Sequence, residues 1–249
     1  MTALWSGLFV AIALSPSLVE TARHLMAEPW KSSALVVPLL LVALARAEGK
    51  PGGPLRRPAL GWIVLAVGIE LLAAGAGLLR WSRLSLGIAG FGWLRATSWT
   101  KPTSAYLAFL AVPLPSFASR LTSPMLERTW SRLAASVLPN VDARNFPLPL
   151  HYGDGGLHLL VLGAALGAYA GLRHAESTAR CFGLAAIGAL ALMLLQPLAV
   201  ILAAGLAETV GPGFARGFLD LALPWTAGLA VIFSVERQAS RSRSTREPA

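Results

Sequence analysis

Residues 181–207 read CFGLAAIGALALMLLQPLAVILAAGLA, an apolar run with no Asp, Glu, Lys or Arg in it. A helix of about 20 predominantly apolar residues crosses the ~30 Å hydrocarbon core of a bilayer, so this run predicts a membrane-spanning helix. The search for others works outward from it. The run 217–235 follows and 156–172 precedes. Toward the N-terminus come 102–118, whose Pro113 and Pro115 are expected to end a helix near its membrane exit, and 84–94, flanked by Arg83 and Arg95. The latter is short alone, but two snorkelling arginines let it reach the needed length. Then come 59–79, broken only by Glu70, the run 32–45, and 2–19, interrupted toward its far end by Ser15 and Pro16. The expectation is an all-α, polytopic membrane helix bundle of about eight spans.

Composition agrees. Of 249 residues, 55% are hydrophobic and 13% charged, and a soluble domain carries about twice that charged fraction. Twenty-one Lys and Arg against 12 Asp and Glu give a net +9, which in a soluble chain would suggest nucleic acid. Here the basic residues are scattered between apolar runs, so they are a topology signal and no nucleic-acid partner is expected. With the N-terminus inside, 12 Lys and Arg fall in inner loops and 9 outside, four of the latter in the long 120–144 segment. Long segments count for less in this rule. Both termini are therefore expected on the cytoplasmic side of an inner membrane, with 119–155 outside. The first run lacks a basic leader and a small-residue cleavage site, and is read as a retained helix. Residues 1–237 read as one transmembrane domain, and 238–249 as a basic, disordered tail.

The outer segment has its own pattern. Leu121, Met125, Leu126, Trp130, Leu133 and Val137 recur at helical spacing, with Arg120, Glu127, Arg128 and Arg132 between them. That predicts an amphipathic helix in the outer interface. Pro147 and Pro149 indicate extended chain, and Gly153, Gly155 and Gly156 a turn. The tryptophans at 5, 30, 62, 81, 93, 99, 130 and 225 mostly fall near span ends, as an aromatic belt requires.

Few residues suggest chemistry. Glu70, in mid-span, is by default a functional group; its alternative is a protonated or hydrogen-bonded carboxyl that locks helices together. Paired intramembrane charges and inverted repeats, the usual marks of a transporter, are not evident. His151, Asp154 and His158 fall at i, i+3 and i+7, but the glycines between them argue against one helix face, so a polar cap is expected and no metal site. Cys181 is the single cysteine, which excludes an intramolecular disulfide, a thiolate zinc site and an iron–sulfur cluster. Arg180 and His174 stand near it in sequence, yet a buried, inert thiol is the expected reading. No cofactor is expected.

The order of motifs carries a further reading. Glu28-Pro-Trp-Lys-Ser-Ser-Ala-Leu-Val-Val-Pro38, Val112-Pro-Leu-Pro115 with Leu121-Thr-Ser-Pro124, the glycine-bearing stretch 150–157, Pro197-Leu-Ala-Val-Ile-Leu, and Gly211-Pro-Gly-Phe-Ala-Arg-Gly-Phe218 follow one another between residues 4 and 235. Together they resemble the exosortase/archaeosortase family, eight-span membrane cysteine transpeptidases that process C-terminal sorting signals of exported proteins. The resemblance implies a nucleophilic Cys and following Arg in the sixth span, where this chain has Gly163, Ala164 and Ala165. The family's later Asn-x-x-Arg falls on Ala203 and Leu206, and its second-span His on Ser33. It thus implies the fold without the transpeptidase: a pseudoenzyme acting as a binding or structural subunit, with membrane lipids and transmembrane or exported proteins as partners. Its outer cleft would involve Ser33, Arg120, His151, Asp154 and His158. Two alternatives stay open, a divergent peptidase using Cys181 or a Ser, and a transporter or channel using Glu70. The small residues Gly163, Ala164, Gly167, Gly171, Ala203, Ala204 and Gly205 suit close helix packing.

Overall fold

The computed structural model describes residues 3–27, 35–48, 56–112, 116–141, 146–148, 157–174 and 177–244. Every regular element among the described residues is helical. The chain forms two compact units, Met1–Glu28 with Ala34–Pro113, and Pro29–Ser33 with Leu114–Ala249.

The first unit contains α1 (Ala3–Ala13), α2 (Ser15–Ala27), α3 (Val36–Glu48), α4 (Arg57–Gly75) and α5 (Leu79–Thr97). The amide of Leu14 donates to Val10 and that of Leu18 to Leu14, both at 3.0 Å, so α1 and α2 nearly continue one another. Pro16 has no amide to donate and breaks the ladder between them. Helices α4 and α5 pack together through a tight turn in which Gly77 takes φ +67°, a conformation that costs glycine nothing. Gly92 makes the packing close: a Cβ there would lie 2.7 Å from Cβ of Trp62. Phe91 then stacks among Trp62, Tyr106 and Phe109, with ring centroids 5.2, 4.9 and 5.3 Å away.

The run 102–118 is not one spanning helix. It holds a 3-10 helix, Ser104–Ala111, and the next α-helix has begun by Ser116. Eight residues at about 2 Å rise reach about 16 Å, half a hydrocarbon core. Glu48 fixes its start, accepting from the Lys101 amide at 2.5 Å and the Ser104 hydroxyl at 2.7 Å. The run 84–94, by contrast, lies within a helix of 19 residues.

The second unit contains α6 (Ser116–Val137), α7 (Leu157–Arg173), α8 (Thr178–Thr209), α9 (Pro212–Gly217), a π-helical turn Phe218–Ala222, and α10 (Leu223–Ser244). Ser177 caps α8, its hydroxyl accepting from the Arg180 amide at 3.4 Å. Within the stretch from Gln238 read as a tail, α10 continues to Ser244, and 245–249 lie outside the described residues. Gln, Ala and Arg are good helix formers, so the helix runs on past its apolar part. Helix α6 forms where the amphipathic pattern predicts it, but its apolar residues divide. Ala134 is buried and Leu126 and Trp130 half-buried, whereas Met125, Leu133 and Val137 are exposed.

Among the described residues, three helical stretches are long and apolar enough to cross a membrane: Arg57–Gly75, Thr178–Thr209 and Pro212–Gln238; α7 is apolar but shorter. Their side chains are distributed inside out. Helix α4 buries Ala59, Ala66, Glu70 and Ala73 while Val64, Leu71 and Leu72 are 70%, 68% and 75% exposed. Helix α8 buries Ala199, Ala203, Ala204 and Ala207 and exposes Leu190, Leu194, Leu198 and Leu202. Water would drive those leucines inward. Lipid tails give them no such drive, and helices in lipid pack through small residues instead.

Candidate functional site

The most developed polar arrangement lies in the first unit, around Glu70. Its side chain is 2% exposed and accepts from the Ser17 amide at 3.0 Å, from the Ser17 hydroxyl, and from the Ser85 hydroxyl at 2.8 Å. Local sequence explains the first contact. Ser17 stands in the first turn of α2, where amides lack intrahelical acceptors, and the break at Pro16 keeps α1 from supplying one. A carboxyl at that site also meets the positive end of the α2 dipole. One turn along α2, Glu20 faces Arg83 of α5 at 3.4 Å, and the arginine side chain is 8% exposed. Nε of Arg83 and the hydroxyl of Thr21 are buried with no hydrogen-bond partner among the described residues. Glu70 thus clasps α2, α4 and α5 through three donors, which offsets the cost of taking a carboxyl out of water.

A second clasp lies in the other unit. Arg173 of α7 donates to both carboxylate oxygens of Glu236 at 2.7 and 2.9 Å, and the Tyr169 hydroxyl donates to one of them at 2.5 Å. This ties α7 to α10. The sequence reading missed it, although an ionisable residue closing each of two apolar runs is a usable signal. An i,i+4 pair, Arg216–Asp220 at 2.9 Å, spans the junction of α9 with the π turn.

Of the residues expected in an outer cleft, Ser33, His151 and Asp154 lie outside the described residues. Arg120 lies on α6, with its side chain also outside them. His158 is buried in the first turn of α7. Among the described residues no three His, Cys, Asp or Glu side chains group as metal ligands. Cys181 is buried in the first turn of α8, with Arg180 and His174 exposed.

Gly163, Ala203 and Leu206, singled out by the expected resemblance, are packing positions. Gly163, Gly167 and Gly171 form a stripe of α7 against which α8 lies. A Cβ at Gly163 would sit 2.1 Å from the Gly188 carbonyl oxygen, and one at Gly167 2.0 Å from that of Leu184. Gly188 is reciprocal, since a Cβ there would lie 2.3 Å from the oxygen of Gly163, and a Cβ at Gly171 would lie 3.0 Å from Cys181. Ala203 is buried among Leu148, Ala199, Ala207, Ala215 and Leu219, with Leu206 packed on the edge of that cluster. Gly205 departs from the expectation of close packing, since nothing approaches within 4 Å of its would-be Cβ.

No family model matches the chain, and no curated protein or solved structure was found to match it.

Proposed function

We propose that this chain is a multi-pass inner-membrane protein with an exosortase-like arrangement that works by binding or by structural association, without cysteine transpeptidase activity. The observation that carries the reading is Gly163. Where the family resemblance calls for a nucleophile, the backbone of α8 approaches so closely that a Cβ would lie 2.1 Å from a carbonyl oxygen. A cysteine and the donors it needs to hold a thiolate and a developing oxyanion have no room there. Ala203 and Leu206 supply no cation in place of the family's arginine. The remaining small and apolar surfaces suit association with lipid and with partner helices.

The eight-crossing topology with both termini cytoplasmic belongs to this proposal. It requires the chain to change sides within 102–118, by the short 3-10 helix and its flanks. Without that crossing the Lys and Arg count becomes 11 inside against 10 outside, and the charge bias that orients membrane proteins vanishes.

The other readings find less support. Cys181 is buried against Gly171, which favours packing over catalysis. Glu70 is sealed and hydrogen-bonded on three sides, which favours a clasp over a transport path. Gentle extraction of the tagged full chain tests the proposal: stoichiometric membrane-protein partners, unchanged in Cys181→Ala, are the expected result. Processing of a co-expressed exported substrate that disappears in Cys181→Ala would overturn it.

A further inference from the structure

We propose that the exposed face of α10 is a binding site for one phospholipid with a net negative headgroup, of the phosphatidylglycerol type. The inference rests on the membrane placement in the function proposed above, and not on its account of Gly163. Leu229, Phe233 and Arg237 follow one another at four-residue spacing, which puts them on one side of the helix. All three are exposed, Leu229 by 42% and Phe233 by 71%. Arg241 continues the spacing one turn further, where α10 is still helical. This face therefore changes from apolar to cationic along its length. From Leu229 to Arg237 the helical rise amounts to about 12 Å, most of one leaflet's share of the ~30 Å hydrocarbon core.

Packing fixes the level at which the face changes. Arg173 closes the apolar run of α7 and pairs with Glu236 at 2.7 Å, and a Cβ at Gly171 would lie 3.0 Å from Cys181, where the apolar run of α8 begins. The apolar stretches of α7, α8 and α10 thus end together, at the level of Arg237. Hydrocarbon gives way to headgroups there, and Arg180 is exposed beside Cys181 at the same end. The segments 173–180 and 236–243 carry five arginines against Glu176 and Glu236, a net +3, and Glu236 already faces Arg173 through both its oxygens. A zwitterionic headgroup leaves that excess unmatched, whereas an anionic one offsets part of it. Arg241 lies about 6 Å beyond Arg237 along the helix, within the ~8 Å over which salt screens a charge, so both arginines act on the same headgroup layer. The acyl chain lies along Leu229 and Phe233, and the phosphate is held by Arg237 and Arg241.

The test uses the full chain, reconstituted into vesicles of equal parts phosphatidylglycerol and phosphatidylethanolamine, re-extracted in mild detergent and weighed by native mass spectrometry. Phosphatidylglycerol should be retained in about fivefold preference to phosphatidylethanolamine, the factor that one arginine near an anionic surface supplies, and raised salt should weaken that preference. The double variant Arg237→Gln, Arg241→Gln should bring the two lipids to parity. Arg128→Gln with Arg132→Gln, which removes the same charge from exposed positions of α6, should leave the preference in place. Equal retention by the parent chain overturns the site without reference to any variant, as does a preference that survives the α10 substitutions or falls as far with those on α6. A chain that does not enter the vesicles overturns the membrane reading as well, whereas a chain that enters them without preference overturns the lipid site alone.

Discussion

Alanine is the better helix former, yet Gly163→Ala should destabilise this protein. At an open helical position the exchange gains about 1 kcal/mol. At Gly163 the new methyl would meet the Gly188 carbonyl oxygen at 2.1 Å and the Ala189 Cα at 2.9 Å. Both are backbone atoms, so no rotamer change relieves the clash, and α8 must retreat by about 1 Å to reach ordinary contact distance. Overpacking of this kind costs about 3 kcal/mol at the upper end of the usual range. Net of the helix gain, about 2 kcal/mol is lost, roughly a thirtyfold fall in the ratio of folded to unfolded chain. The structure supplies its own controls. Gly183 and Gly205 lie on the same α8 with nothing within 4 Å of a would-be Cβ, so Gly183→Ala and Gly205→Ala should be neutral or stabilising. Circular dichroism of the full chain in mild detergent, followed against temperature or added SDS, reads all three. If Gly163→Ala moves the midpoint in the same direction as Gly183→Ala, the two helices do not cross at Gly163, and the argument against a nucleophile there fails with it.

Three further outcomes are expected. Glu70→Leu strands three donors, and at about 0.6 kcal/mol for each interhelical hydrogen bond in a membrane it should cost about 2 kcal/mol; Ser85→Ala should cost about a third of that, and a Glu70→Leu variant melting like the parent would remove the clasp. Tyr169→Phe removes one donor to the partly exposed Glu236 and should cost about 1 kcal/mol, and Glu236→Gln, which also breaks the Arg173 pair, should cost less in the Tyr169→Phe background than in the parent; fully additive losses in the double-mutant cycle would show that the two groups act separately. In a Cys181→Ala background, Asn140→Cys should react with an impermeant maleimide applied outside and Lys101→Cys should not, and equal labelling of the two would refute a crossing within 102–118.

Much of the helical layout was legible because apolar runs and amphipathic spacing are local properties. The runs 59–79, 156–172 and 181–207 each coincide closely with a helix, as does the amphipathic segment after Pro115. The run 102–118 misled because hydropathy records transfer preference and carries no information about backbone form. Glu48 and the aromatic cluster on Phe91 hold that chain in a short 3-10 helix. Past Gln238 polarity is equally silent about backbone form, and α10 continues to Ser244. Glu70 stood out at once, but its partners did not. Ser17 and Ser85 are ordinary residues until tertiary packing brings them to one carboxyl.

Taken alone, the chain of residues determined an all-helical protein rich in apolar runs and with one conspicuous buried acid, since each of these follows from a residue and its near neighbours. Which glycines matter is a different kind of fact. Gly163 and Gly205 are alike in sequence, each among small residues on an apolar helix, and only the first has another backbone against it. The same holds for charge. Arg83 and Arg95 flank one run, yet Arg83 is buried beside Glu20 while Arg95 lies over the Phe91 ring at 5.8 Å. Close approach between helices depends on atoms far apart in the chain, and only the tertiary structure decides it.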